Sequence, residues 1–511
     1  AASAAVAACV RRLWRARQAA LALPRAPCIS SHWLLGEFGH VLLHCRRVPG
    51  TERRPDLMSL WSQAAAETRE QGLFRMTFLH WLLPMSHQLV IVHDFKLAKQ
   101  LLSKEYWKSF RKGRSYRIAV DLIGDRALLS APDSDHWRFQ RRVSGAAFSR
   151  SLLHSAALPS VREVVDGVCA CWEAAAASRD ERPVVDFHQD ALSLTINVLG
   201  RFAFGCDFDS DVADGSDRSL NGAFECVLHR MSRFGRNPLL FATRRVATAQ
   251  NQQYWRALGT IDRAARKAIE RRLGQDELGD DLLGQLLKAA ESEDDQMDTD
   301  LIVENLRTFL FAGHDTTAST LAWAVHLLST HPYEEKRLLQ ELGTLPRDVL
   351  PDAEALESLP YLDAVFKETL RLYPPAGFTR EPLEDITIGD FRVSKGTEVF
   401  FFPYLTHRDP RLFAEPERFR PERWLEASPT GRASAAESSG WMPFSLGARN
   451  CVGAQLARLE IKATLHAFLS RYSFEPAPDD GTGPPAVVLY MTLVPNAVRV
   501  IPRPRSDCKA S

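Results

Sequence analysis

The stretch FSLGARNCVG, Phe444 to Gly453, places a cysteine between an arginine two residues before it and a glycine two residues after it. Beyond it, Leu456, Leu459, Ile461, Leu465 and Phe468 recur at helical spacing over residues 454–471, which puts Cys451 at the N-terminal end of a predicted helix. There the helix dipole and the free N–H groups favour a thiolate, and a thiolate is a metal ligand or a nucleophile. Gly447 and Gly453 let the backbone come close to a flat cofactor and donate N–H groups to sulfur, while Arg449 can pair with an acidic substituent of that cofactor. A cysteine taken alone is more often an inert buried thiol.

Composition frames this reading. The chain has 511 residues, 45% hydrophobic and 25% charged, which is globular and large enough to bury a sizeable core. A formal net charge of +1 gives no sign of a polyanionic partner, so nucleic-acid binding is not expected. The nine cysteines are odd in number and lack a repeated CxxC spacing, which argues against a disulfide framework and a zinc site and for a reducing compartment. Residues 1–36 hold Arg11, Arg12, Arg15, Arg17 and Arg25 among alanines, with no acid before Glu37. That is the composition of a mitochondrial transit peptide, with a basic surface helix as the alternative. Residues 37–511 then form the folded domain, and the endoplasmic reticulum membrane, with residues 1–36 as an N-terminal anchor segment, or a plastid is the alternative location. The apolar windows near Trp33–Leu43 and Thr77–Met85 are too short to span a bilayer, so any membrane contact is peripheral.

Helical periodicity dominates to about residue 375, strand-like runs follow at Ile386–Val393 and Glu398–Phe402, and helix returns after Cys451. The fold class is mainly α with a small β part. Polar stretches at Ser178–Arg182, Gly274–Asp300 and Ser428–Gly440 read as loops. A long apolar helix is expected from an Asp300 cap to Pro332, crossing the core. In its middle lies AGHDTT, Ala312 to Thr317, where small residues allow close approach and an acid, Asp315, precedes a hydroxyl, Thr316. A buried acid is costly without a partner or a task. The alternative is a glycine kink with threonine bonding back to the carbonyl one turn earlier.

Pro360 suits a helix start and Pro374 with Pro375 ends it, so Glu368 and Arg371 share a face, as a surface ion pair or something more. Pro-Glu-Arg-aromatic occurs at Pro416–Phe419 and again at Pro421–Trp424. Trp137 and Arg141 stand four apart, so an indole N–H and a guanidinium project together and both can bind an anion.

In order and approximate spacing, these elements resemble the cytochrome P-450 haem-thiolate monooxygenases from about residue 55 to 503. Trp424 departs from the family's usual Phe but keeps the aromatic. The resemblance implies the family's fold, with the long helix crossing over a haem b whose axial iron ligand is Cys451. It implies that Phe444, Gly447 and Gly453 shape the cysteine loop and that Trp137, Arg141, Arg449 and Arg380 hold the haem propionates. Glu368, Arg371 and Arg423 are to form a buried charge network fixing that loop, and Asp315 and Thr316 to deliver protons as dioxygen is reduced. The implied reaction inserts one oxygen atom into a lipophilic substrate, by hydroxylation or epoxidation. Ala312, Ala376, Gly377 and Phe378 are implied pocket positions, with residues 114–126 as a lid. No dinucleotide fingerprint follows a strand, so electrons are to come from a separate ferredoxin or flavoprotein reductase. Arg138, Arg142, Lys367 and Arg458 are candidate docking charges. The alternative activity is that of relatives that isomerise or dehydrate peroxides without external electrons.

Overall fold

The computed structural model describes residues 57–77, 88–103, 106–177, 182–208, 219–236, 238–291, 297–345, 351–426, 440–478 and 483–505. The arginine-rich residues 1–36 lie outside them. The chain divides into two compact units: residues up to Tyr116 with Gly377–Leu412 and Gly440–Asn450, and Arg117–Ala376 with Phe413–Ser439 and Cys451 onward. Among the described residues no helix is long and apolar enough to cross a membrane.

The first unit holds strands β1 (Leu73–Thr77), β2 (Gln88–Val92), β3 (Phe110–Lys112), β4 (Phe378–Pro382), β5 (Ile386–Ile388), β6 (Phe391–Val393) and β7 (Glu398–Phe401). Five of them form one sheet in the order β1-β2-β7-β4-β3. Only β2 and β7 run parallel in it, with Leu89 opposite Glu398 and Val92 opposite Phe401. The run at 386–393, expected as one strand, folds back on itself as the β5–β6 hairpin, turning at Gly389, whose φ of +56° suits a residue without a Cβ. β1 and β2 lie where periodicity suggested helix. Leu73 and Phe74 are both buried, so β1 begins as an apolar run rather than an alternation, and such a run does not distinguish strand from buried helix. Leu73, Val90, Val92, Phe378, Val399 and Phe401 pack with Ala98, Leu101 and Met442 into one core cluster.

The second unit is built around α1 (Asp135–Ala147), α2 (Phe187–Leu199), α3 (Leu220–Arg236), α4 (Leu282–Ala290), α5 (Thr299–Thr330), α6 (Pro360–Leu372) and α7 (Ala454–Arg471). Helix α5, with 32 residues, is ~48 Å long at ~1.5 Å per residue. Its cap is Asp298, which accepts from the Leu301 N–H at 2.6 Å, and Asp300 lies in the first turn instead. The 274–300 stretch is not all loop. It contains α4, capped by Asp281, whose apolar Leu282, Leu283, Leu286 and Leu287 are buried. Nine residues between acidic flanks are too few to stand out as a period.

Helix α5 is buried along most of its length and packs closely on α2. A Cβ on Gly313 would meet Leu199 of α2 at 3.0 Å, so the glycine admits a neighbouring helix. Helix α6 starts on Pro360 and ends at Leu372, ahead of Pro374. Strands β8 (Val487–Leu489) and β9 (Leu493–Pro495) form a hairpin, and the Leu493 N–H donates to the Pro375 carbonyl at 2.7 Å. A three-stranded sheet orders Val185–Asp186, Arg499–Pro504 and Tyr472–Pro476.

Candidate active site

The paired charges on α6 point inward. Glu368 and Arg371 are both 0% exposed, which removes the surface-pair alternative. Arg371 grips Glu368 with Nε and NH2, each at 2.9 Å. Glu368 also accepts from Arg423 Nε at 3.1 Å, from the Trp424 indole N–H at 2.9 Å and from the Arg420 backbone N–H at 2.9 Å. The guanidiniums spend further donors on carbonyls, Arg371 on Pro416 and Arg418, and Arg423 on Ala414. One carboxylate thus faces two cations in a dry interior, an arrangement that holds only when nearly every donor is satisfied. Burial lowers the pKa of Arg423, and Glu368 opposes that shift. These bonds grip residues 414–424. The Trp424 indole supplies a donor that the family's usual Phe lacks.

Cys451 stands just ahead of α7, whose cap is Gly453. The residue is exposed, yet the surrounding protein desolvates its thiol and pushes the pKa up, while the Gly453 N–H and the Arg141 guanidinium pull it down. Burial in turn lowers the pKa of Arg141, and Cys451 raises it. A Cβ on Gly453 would meet Phe148 at 3.9 Å, an ordinary contact. A sulfur with an N–H aimed at it and a cation nearby fits a thiolate bound to the metal of a planar group.

α1 is capped by Ser134, and the buried Trp137 donates its one indole N–H to the Leu128 carbonyl at 3.1 Å. Arg141, one turn further on the same helix, is half-buried.

On α5, Ala312 and Thr316 are half-buried, whereas Phe311, His314, Asp315 and Thr317 are buried. Ala312 and Thr316 stand one turn apart on one face of the helix. Thr316 Oγ donates to the Ala312 carbonyl at 2.7 Å, the back-bonded arrangement. The Asp315 carboxyl is pushed up to about 6 by burial, opposed by a hydrogen bond from the Thr492 hydroxyl. Thr492 lies 177 residues away on the β8–β9 turn, and no motif or period singles it out.

In the first unit, Arg380 is buried on β4 and donates to the Thr379 carbonyl at 3.0 Å. Burial raises the Tyr116 hydroxyl pKa, and Arg380 and Arg449 both oppose that shift, so the two arginines flank one phenol that sequence reasoning did not single out. Gly447 has φ +74°, and a Cβ there would lie 2.0 Å from the Leu102 carbonyl, so its absence serves backbone packing. Phe444 meets Trp441 edge-on at 6.2 Å. Two expected pocket positions make packing contacts within the first unit. Phe378 stacks on Phe401 at 5.5 Å within the core cluster, and a Cβ on Gly377 would strike the Phe400 ring at 2.4 Å. Ala376 is half-buried.

The expected docking charges are engaged. Lys367 and Arg458 pair with Asp363 at 2.9 and 2.6 Å, Arg138 pairs with Asp135, and Arg142 lies over the Phe139 ring. Within residues 114–126, Arg126 pairs with the α5 cap Asp298 at 2.6 Å and Asp121 with Arg244 at 2.7 Å.

Comparison with known proteins agrees with this architecture. The family model for cytochrome P-450 matches residues 75–496. Pentalenene oxygenase of Streptomyces avermitilis is 29% identical over 77% of this chain and 83% of its own length. Cyclooctat-9-en-7-ol 5-monooxygenase of Streptomyces melanosporofaciens is 31% identical over 75% of this chain and 79% of its own. The crystal structure of a cytochrome P-450DA haem domain superposes with a TM-score of 0.76 at 23% identity, covering 94% of this chain and 98% of that one. With a thiol poised at a helix start, a buried charge network and a long helix carrying an acid beside a hydroxyl, the chain belongs to the cytochrome P-450 family of haem-binding monooxygenases.

Proposed function

We propose that the chain inserts one atom of dioxygen into an apolar substrate and reduces the other to water, drawing electrons from a separate ferredoxin or flavoprotein reductase. Haem bound through a thiolate supplies the oxygen chemistry, electron donation from sulfur favouring O–O cleavage. Cys451 is the proposed iron ligand, steadied by the Gly453 N–H and by Arg141. Arg141, Arg380 and Arg449 are proposed to take the propionates. The Glu368, Arg371 and Arg423 network holds the 414–424 loop in place.

One observation carries the oxygen-activating reading over the peroxide-isomerising one. Asp315 is a buried acid next to Thr316, a hydroxyl on a helix whose backbone N–H groups are spent on its own carbonyls. Thr316 Oγ can turn from the Ala312 carbonyl to donate outward, and the Asp315 carboxyl, with its raised pKa, can resupply the proton near neutral pH. The names of the two relatives, pentalenene oxygenase and cyclooctat-9-en-7-ol 5-monooxygenase, support an apolar substrate. Residues 1–36 are proposed to direct the chain to the mitochondrion, which a reporter fused to them tests.

The decisive measurement is product formed per reduced nicotinamide consumed, alongside released peroxide. Thr316→Ala and Thr316→Val are expected to keep the carbon-monoxide spectrum of a thiolate-bound haem and to divert electrons into peroxide. Unchanged coupling in both, or turnover without any reductant, would favour the isomerase. Cys451→Ala is expected to lose that spectrum.

A further inference from the structure

Asp315 differs from two other buried acids of its unit, Glu368 and Asp363. Glu368 is enclosed by two guanidiniums, and Asp363 faces Lys367, Arg458 and Lys462. Cations of that kind lock a carboxylate in its charged form. Among the described residues, Thr492 is the one side chain bonded to the Asp315 carboxyl, its hydroxyl donating to Oδ2, and no charged group shifts it. The nearest titratable side chain on α5, His314, is held neutral by burial, its pKa lowered to about 3, and His188 on α2 is held neutral in the same way, at about 4.

The chemistry of the partner matters. A backbone N–H or a lysine can only donate and so favours the anion alone. A threonine hydroxyl donates to a carboxylate and accepts from a carboxylic acid, so it remains a partner in either state. A group that must lose and regain a proton in each cycle needs a partner of that kind.

Thr492 is also anchored independently of Asp315. The Tyr490 N–H donates to the Thr492 carbonyl at 2.9 Å, and the next residue, Leu493, donates to the Pro375 carbonyl at 2.7 Å, just past α6. On the other arm of the hairpin the Leu489 carbonyl accepts from Ser232 of α3 at 3.5 Å, and the Tyr490 ring lies 6.2 Å from that of His229 on the same helix. The hydroxyl is therefore presented by a braced turn, while the carboxyl hangs on rotatable bonds from α5.

We infer that Thr492 is the positioning residue of the proton relay, its hydroxyl holding the Asp315 carboxyl in register with Thr316 through successive losses and gains of the proton. The inference rests on the proposed proton-delivering role of Asp315. It assigns the β8–β9 turn a part in the reaction that no motif on that turn reveals.

The test uses the haem-loaded full chain and three variants, Thr492→Val, Thr492→Ser and Asp315→Asn, each first checked for the wild-type carbon-monoxide spectrum. Infrared difference spectroscopy across a pH titration reads the carboxyl directly, and the band lost in Asp315→Asn identifies it. Thr492→Val removes the donor to the carboxylate and is expected to move the midpoint of that band upward by about one pH unit, the worth of one hydrogen bond. Thr492→Ser should restore it. In turnover, Thr492→Val is expected to lower product per reduced nicotinamide several-fold with KM unchanged, and Thr492→Ser to recover it. A band unmoved by Thr492→Val overturns the contact. A moved band with undiminished coupling in Thr492→Val, while Asp315→Asn is impaired, overturns the positioning role alone. Full coupling and full rate in Asp315→Asn overturn the proton-delivering role of Asp315, and with it this inference.

Discussion

Glu368→Gln isolates what the buried network contributes, because glutamine keeps the shape and removes the charge. Glu368 accepts five hydrogen bonds, from Arg371 Nε and NH2, Arg423 Nε, the Trp424 indole and the Arg420 N–H. In the variant two guanidiniums lose their counter-ion in a dry interior, and the new amide N–H groups point at donors. Removing one partner of a buried ion pair costs ~3–5 kcal/mol, against a total stability of ~5–15 kcal/mol for a domain. Trp424→Phe is the internal control. It deletes a single donor to a charged acceptor, ~1.5–3 kcal/mol, and leaves four others in place. Urea unfolding followed by circular dichroism, with haem content measured in parallel, should order the variants as wild type, Trp424→Phe and Glu368→Gln. The pair Glu368→Leu with Arg371→Leu should lose less than the sum of its single changes, since Arg371 and Glu368 no longer strand each other and only Arg423 is left without its counter-ion. Glu368→Gln within ~1 kcal/mol of wild type and with full haem content would refute the reasoning, because the network would then be no stronger than an exposed pair.

Two further outcomes follow from particular side chains. Glu460 on α7 is buried, its Oε1 has no hydrogen-bond partner among the described residues, and burial raises its pKa from 4.5 to about 8. The folded state binds this proton more tightly than the unfolded one, so stability falls as pH rises from 4.5 to about 8, by about 5 kcal/mol in full, and is flat above that. Thermal unfolding of Glu460→Gln should show this slope removed and a gain over wild type that grows towards alkaline pH; an equal slope in both proteins would show that the carboxyl finds a partner in solution. Trp137→Phe should cost only the bond to the Leu128 carbonyl, ~1 kcal/mol of stability, and leave haem affinity intact, whereas Arg141→Ala should weaken haem retention; the reverse order in a haem-transfer assay would restore the indole to the propionates.

Much of the architecture was legible before any coordinates, and the reason is local. The ends of α6 follow from proline's missing N–H and fixed φ, and the start of α7 follows from the periodic apolar residues beyond Cys451. The cap of α5 was misplaced by two residues because Asp298 and Asp300 are the same residue type and only the accepted Leu301 N–H distinguishes them. Strand β2 was missed because a short strand is stabilised by its partners, and one of them, β7, lies some three hundred residues on; β1 in turn leans on β2.

The site divides along the same line. Which residue types carry the chemistry was set by the chain itself: a cysteine before a helix, an acid beside a hydroxyl within one, a glutamate and an arginine on one face. Where their polar atoms are directed was decided by tertiary contact. The spacing of Glu368 and Arg371 is equally that of a surface pair, and only packing brings Arg423 and Trp424 onto the same carboxylate. The Trp137 indole meets the Leu128 carbonyl, and Asp315 gains its hydroxyl partner from the distant β8–β9 turn. Hydrogen bonds in a dry interior act over about 3 Å, and which groups come within that reach depends on the packing of whole elements rather than on neighbours along the chain.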